Sequence, residues 1–368
     1  MKKKILYILL FLFVAIVVIL LIVRIPTIHD GALLGSLPIP SVLRPEPLPK
    51  EAKLLPPFST WAGKDIARQY ESLPKLIKRS NTTAFLVIKD GKILYEAYAN
   101  GVKKHDITQV FSVTKVFVTA LLGIAIQEGY ITSLEQSVAD FIPEYKSKQY
   151  KNLKISHLLQ MQSGLDYDEY GKLLQTLRFY YQKNLKKIIK NPKLKYRPGT
   201  VFTYKSIDTQ ILGECIERAV GKPFLEYFYE KIWSQIGAED AAAWSIDSKL
   251  THTPKYFGGL NISASDLAKF GNIVIHNGKT DSGKQIIPPH WINYCDDIRY
   301  RVGEDNNEYC NGWWYFMDTP KENIYIAAGF NGQIMLINED NGSIIIRLGK
   351  NKGGVLWYPI MRELSRQL

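Results

Sequence analysis

Ser112 and Lys115 stand three residues apart in Phe111-Ser112-Val113-Thr114-Lys115, at the head of a long apolar run. On an α-helix that spacing puts both side chains on one face, a turn apart. A serine alcohol is a weak nucleophile until a base takes its proton. A lysine serves as that base only when neutral. Bringing its pKa from about 10.4 to about 7 takes roughly 4.6 kcal/mol of differential stabilisation. Burial supplies such a shift, and the positive end of a helix adds to it. The residues from Val116 to Ile126 are apolar almost all round. The predicted helix is therefore central, and its first turn sits where desolvation is available. Taken alone, Ser-x-x-Lys is a common chance pattern. A serine that starts a helix with a lysine on its wet side fits these five residues equally well.

A lysine-activated serine also needs a second proton carrier and an oxyanion hole. Tyr204, in Tyr204-Lys205-Ser206, is placed to pass the serine's proton to a leaving group, and the Ser206 hydroxyl can hydrogen-bond Lys115. Gly329-Phe330-Asn331-Gly332-Gln333 falls between two predicted edge strands. Glycine there lets a substrate approach the backbone, and the Gln333 N–H would complete an oxyanion hole with that of Ser112. No metal-ligand spacing, no Gly-x-Ser-x-Gly elbow and no serine–histidine–aspartate set is present, so neither metal nor cofactor is expected. His157 reads as a packed helix residue. Asp166, Tyr167 and Tyr170 fit a groove lining or a plain surface equally, and Trp313 and Trp314 read as core.

Positioning these groups takes strands from both ends of the chain. Thr83 to Lys89 and Lys92 to Tyr98 form a predicted hairpin about Asp90-Gly91. Asn323 to Ala328, Gln333 to Asn338 and Ser343 to Leu348 read as strands, and Trp357 to Leu368 as a closing helix. Between about residues 130 and 285 the pattern is helical almost throughout. Helices are predicted around Ser156, with Gly164 ending one, and from Gln210 to Val220, Pro223 to Ile236 and Ser263 to Asn277. The expected fold class is α+β: an antiparallel sheet built from both ends of the domain, flanking helices and an inserted all-helical lobe. A site in the groove between sheet and lobe follows.

Ile5 to Val23 is a run of 19 uncharged residues preceded by Lys2, Lys3 and Lys4. At about 1.5 Å per residue it spans roughly 28 Å, the thickness of a bilayer core. Positive residues stay inside, so the rest of the chain is expected outside the cytoplasm. The run is long for a signal peptide and ends without a small-residue cleavage pair, which favours an uncleaved anchor over a secreted product. Residues 1–24 are thus the expected membrane anchor, 25–60 a Pro-rich spacer and 61–368 the folded domain. A hydrophobic content of 46% fits a globular chain of that size. The net charge of +12 is concentrated in a Lys-rich stretch between Lys146 and Arg197. A solvated helical face accounts for it, and an anionic cell-wall or lipid partner is the competing reading. No nucleic-acid motif is present. Of Cys215, Cys295 and Cys310, the last two are the nearer pair for a disulfide, and three buried thiols fit as well.

The chain resembles the serine beta-lactamase-related hydrolases: class C beta-lactamases, D-alanyl-D-alanine carboxypeptidases, family VIII esterases and 6-aminohexanoate-dimer hydrolases. Ser112-Val113-Thr114-Lys115 matches the first motif, nucleophile and lysine. Tyr204-Lys205-Ser206 matches the second, usually Tyr-x-Asn, with the tyrosine as general base. Phe330-Asn331-Gly332 takes the place of the third, Lys-Thr-Gly or His-x-Gly. Ile155 to Leu165, Pro198-Gly199 and Ser263 to Gly271 also match, so the resemblance runs from about Thr83 to Leu348. It implies a beta-lactamase/transpeptidase-like fold and acyl-enzyme chemistry on Ser112, with Lys115 and Tyr204 sharing a proton. Two positions depart from the pattern. Phe330 replaces the cation that holds a substrate carboxylate, which argues against penicillins and D-Ala-D-Ala peptides. Ser206 replaces the asparagine. The expected substrate is a small ester or amide, as in the 6-aminohexanoate-dimer hydrolase branch. The rival readings are a carboxypeptidase or beta-lactamase, and a non-catalytic protein that binds cell-wall material.

Overall fold

A computed structural model describes residues 36–39, 73–169, 173–292, 300–302, 307–316 and 322–368. The strands are β1 Ser36–Ile39, β2 Thr82–Lys89, β3 Lys92–Tyr98, β4 Thr108–Gln109, β5 Ala242–Ser245, β6 Leu260–Ile262, β7 Tyr300–Val302, β8 Asn307–Cys310, β9 Trp313–Phe316, β10 Ile324–Gly329, β11 Gln333–Asn338 and β12 Ser343–Gly349. The helices that position the site are α1 Leu73–Arg79, α2 Thr114–Gln127, α3 Ile155–Leu159, α4 Leu173–Tyr180, α5 Ser206–Val220, α6 Ala264–Ile275 and α7 Trp357–Arg366.

The main sheet has eight strands in the order β3-β2-β12-β11-β10-β9-β8-β7. Both ends of the domain meet in it, because β12 lies antiparallel between β2 and β11. The β2–β3 hairpin turns where expected. Asp90 and Gly91 both take positive φ, 49° and 71°, as a two-residue hairpin loop requires. Strands β11 and β12 are buried along their whole length, which only a sheet covered on both faces allows. Leu86, Ile88, Met335, Ile344 and Ile346 pack towards α2 and α6. Phe85, Val87, Leu336 and Ile345 pack towards α1 and α7. Helix α2 is buried from Thr114 to Ala125, so it is the central helix that its apolar run predicts.

Two expectations change. The lobe is not all-helical: β5 and β6 lie within it, in a second sheet of order β1-β5-β6-β4. Those strands are three or four residues long, and Ala242-Ala243-Trp244-Ser245 is buried on both sides, so no alternation marks it. Within the Pro-rich stretch, Ser36–Ile39 is extended and pairs antiparallel with Ala242–Ser245. The main sheet also continues past β10 through β9, β8 and β7, whose β8–β9 turn places Asn311 and Gly312 at positive φ. The run Ile5–Val23 lies outside the described residues, among which no helix is long and apolar enough to cross a membrane. Cys310 is disulfide-bonded and Cys215 is a buried free thiol, while Cys295 lies outside the described residues.

Candidate active site

Ser112 sits in a short 3-10 turn, Phe111–Val113, that feeds directly into α2. The residue before it carries strain. Phe111 holds φ +48°, a conformation a bulky side chain adopts at a cost of about 1–2 kcal/mol. The half-buried Ser112 lines a cleft together with Phe111, Glu169, Tyr180, Ser206, Phe257 and Phe330.

Behind the serine lies Lys115, 1% exposed. Its Nζ is 3.0 Å from Ser112 Oγ, 3.4 Å from Ser206 Oγ and 2.7 Å from the Phe257 carbonyl. Burial pushes its pKa down to about 8, against the opposing pull of the Glu169 carboxylate. Three oxygens match the three N–H donors of the ammonium, and a pKa near 8 leaves a neutral fraction available at mildly alkaline pH. As an ammonium it donates to all three oxygens; once it loses a proton, two N–H groups keep the Phe257 carbonyl and Ser206 Oγ, and the lone pair is free to take the Ser112 hydroxyl proton.

Tyr204 is 7% exposed and its ring lies 5.1 Å from Lys115 Nζ. Trp314 packs against that ring at 5.3 Å and Tyr309 edge-on at 5.6 Å. Trp314 is thus half-buried beside the site, whereas Trp313 is core as expected. The segment is pinned from below. Lys205 and Asp208 form a buried pair at 4.0 Å, and Ser163 Oγ donates to Asp208 Oδ1 at 2.6 Å. Burial raises Asp208 to about 6.

Ser206 opens α5 and is fixed at both ends of its own polar group. Its N–H donates to Glu169 Oε2 at 2.9 Å and its hydroxyl to Glu169 Oε1 at 2.8 Å. Lys115, Ser206 and Glu169 therefore form one hydrogen-bonded chain. Sequence reasoning missed Glu169, although it named Asp166, Tyr167 and Tyr170 beside it. Tyr167 lines the cleft, Asp166 is exposed, and Tyr170 lies outside the described residues. The available signal was weak: three carboxylates, Asp166, Asp168 and Glu169, stand together in an aromatic, polar stretch, with nothing local to single out Glu169.

The turn after β10 divides its residues. Phe330 is 70% exposed at the mouth of the cleft, edge-on to Phe111 at 5.7 Å. Asn331 and Gly332 turn their carbonyls to Arg347, at 2.9 and 2.8 Å. The Gln333 side chain is buried away from the cleft: Nε2 donates to the Gly349 carbonyl at 2.6 Å, and Oε1 accepts from the Gly349 N–H at 3.0 Å. The backbone that meets the serine is that of Gly329. A Cβ there would stand 2.3 Å from the Val110 carbonyl and 3.3 Å from Ser112 N.

A pH profile tests the Glu169 contact. Lys115 is an ammonium below about 8, so kcat/KM should climb as pH rises through that value and level off above it. Glu169→Gln removes the charge that helps hold the proton, so the inflection should move to lower pH. An unmoved or raised inflection for a chromogenic ester would contradict this coupling.

The Beta-lactamase family profile matches residues 74–355, more than three quarters of the chain. This chain belongs to the Beta-lactamase family. It is a Beta-lactamase-family serine hydrolase, with a fold to match. A putative 6-aminohexanoate-dimer hydrolase from Bacillus anthracis superposes with TM-score 0.77 over 92% of this chain and 90% of that one, at 23% identity. The 6-aminohexanoate-dimer hydrolase of Paenarthrobacter ureafaciens is 23% identical over 305 residues, 77% of this chain and 76% of that protein. A putative D-alanyl-D-alanine carboxypeptidase of Escherichia coli K12 is 27% identical over 177 residues, 41% of each chain.

Proposed function

We propose that this Beta-lactamase-family protein hydrolyses small, uncharged esters or linear amides through an acyl-enzyme on Ser112. The single observation that carries the reading is a fully buried lysine amine, its pKa lowered to about 8, 3.0 Å from the hydroxyl of a cleft-lining serine. Ser112 gives its proton to Lys115, which passes it on through Tyr204, as the serine Oγ bonds to the substrate carbonyl carbon. Tyr204 then protonates the departing alcohol or amine as the carbonyl re-forms. Water attacks the acyl-enzyme by the same proton route in reverse and releases the acid.

The oxyanion is held by the Ser112 N–H and a second N–H from the turn after β10. Gln333 was the candidate from sequence. Gln333 pairs with Gly329 across the end of the β10–β11 hairpin, and a Cβ on Gly329 would stand 3.1 Å from Gln333 Cβ and 3.3 Å from Ser112 N, which supports the Gln333 N–H in that role. Substrate class follows from charge. No lysine or arginine is among the described residues that line the cleft, and the Glu169 carboxylate is already engaged by Ser206. A substrate carboxylate would enter an apolar, aromatic groove with no cation to receive it. Phe330 at the mouth suits an alkyl or aryl group instead. The name of the Paenarthrobacter relative, a 6-aminohexanoate-dimer hydrolase, agrees with amide cleavage, though such a dimer carries a terminal carboxylate and amine and so does not share the uncharged character proposed here.

A substrate panel tests the reading. p-Nitrophenyl butyrate should turn over at least about 10²-fold faster in kcat/KM than nitrocefin or a D-Ala-D-Ala peptide, the discrimination expected when a buried charge goes unpaired. Faster hydrolysis of either of the latter would overturn the substrate class. We also propose that Ile5–Val23 anchors the chain with the catalytic domain outside the cytoplasm. Its 19 uncharged residues behind three lysines support this, and fractionation of the full chain with membranes checks it.

A further inference from the structure

We propose that Arg347 is a positioning residue for the oxyanion hole, bracing from behind the turn that faces Ser112. Arg347 lies in the middle of β12 and is 0% exposed. Its neighbours in the strand, Ile345, Ile346 and Leu348, are all core. A guanidinium in that row is expensive to bury, and a hydrophobic residue would serve the sheet alone as well or better.

Its hydrogen bonds say what the guanidinium does there. Nε donates to Thr82 Oγ1 at 3.1 Å, and Nη2 to the carbonyls of Ser80 at 3.2 Å and Asn351 at 2.5 Å. Nη1 donates to the carbonyls of Asn331 at 2.9 Å and Gly332 at 2.8 Å. Trp357 packs 5.0 Å from the guanidinium carbon. Among the described residues no carboxylate pairs with it, so every acceptor is neutral and all but one is backbone. The group is a rigid planar fork that ties the turn to the strand ends around it.

The turn is shaped for the fork. A Cβ on Gly332 would stand 2.6 Å from Nη1, and its φ of +78° also calls for glycine. In a trans peptide the N–H points opposite the C=O, so fixing the two carbonyls on Arg347 fixes the N–H groups of Gly332 and Gln333 on the other side. The Gln333 side chain, paired twice with Gly349, is a second brace. With both braces in place, the Gln333 N–H is held beside Ser112 N, because Gln333 pairs with Gly329, whose backbone closely approaches Ser112 N. An oxyanion hole is effective only when its donors are fixed before charge develops, which a bare surface turn does not ensure.

The inference rests on the hydrolase reading, and one experiment separates the two. Arg347→Lys and Arg347→Met are compared with wild type for p-nitrophenyl butyrate kinetics, thermal midpoint and affinity for butylboronic acid, which forms a tetrahedral adduct on a nucleophilic serine. Folded variants should lose about 10²-fold in kcat, the scale of one lost oxyanion donor. KM should stay within about threefold, and boronate affinity should fall in step with kcat/KM. Lysine should rescue little, because one ammonium cannot replace the fork. A folded variant with kcat within about threefold of wild type, or one that loses kcat with boronate affinity intact, overturns the proposal. Should both Arg347 variants fail to fold, Gln333→Met removes the other brace with the arginine in place. The same paired loss in that variant supports the proposal, and wild-type kinetics overturn it. Absence of turnover and of boronate binding in wild type would instead sink the hydrolase reading itself.

Discussion

Lys115→Met is expected to lower kcat/KM for a short-chain chromogenic ester by about 10⁴-fold, the upper range for removal of a positioned general base, without lowering the thermal midpoint. The two halves of that result come from one cause. Lys115 is fully buried and its pKa is pulled down to about 8, so at neutral pH the fold carries a charge it solvates poorly. Methionine has similar length and no charge, and replacing a buried ion with an apolar isostere is neutral or stabilising in many cores. What is lost is the acceptor for the Ser112 proton, 3.0 Å away. The Phe257 carbonyl and Ser206 hydroxyl lose a donor, which offsets part of the gain. Kinetics and a melting curve on the same preparation check it. A variant that keeps activity within about tenfold would remove Lys115 from the chemistry.

Gly329→Ala should cost about 10²–10³-fold in kcat/KM, the scale associated with misplacing a catalytic group by an ångström or losing an oxyanion donor. Backbone conformation is not the reason. Gly329 is extended, with φ −125° and ψ 161°, which alanine accepts freely. The obstacle is steric and local. The new Cβ would stand 2.3 Å from the Val110 carbonyl, and that carbonyl accepts the Val113 N–H at 3.2 Å within the turn carrying Ser112. Relief must come from moving β10 away from the serine or from opening the turn itself. Either motion separates Ser112 N from the backbone opposite it. Steady-state kinetics with circular dichroism check this, and a folded variant at the wild-type rate would contradict the close approach.

Legibility in the sequence followed the range of the signal. The β2–β3 hairpin was readable because Asp90-Gly91 sits between β-branched runs, a purely local code. Helix α2 was readable because apolar residues cover it all round. Short strands were not. Ala242–Ser245 and Leu260–Ile262 owe their pairing to tertiary neighbours and carry no period of their own. The same divide runs through the site. Ser112 and Lys115 are one helical turn apart, so spacing alone brought them together. Tyr204 entered through its motif. Glu169 reaches Lys115 only through Ser206, and Arg347 reaches the turn across a strand pairing. Neither contact has a spacing to read. The lowered Lys115 pKa was foreseeable in direction from the apolar run, while the countering carboxylate was not.

The most direct test of the account is whether Ser112 is acylated during turnover. The full chain is mixed with p-nitrophenyl butyrate, quenched in acid within the first turnovers and digested for mass spectrometry. The account predicts one butyryl group on the peptide that contains Ser112, together with a burst of nitrophenolate, and neither in Ser112→Ala. Steady hydrolysis with no modification at Ser112, or wild-type turnover by Ser112→Ala, would contradict it.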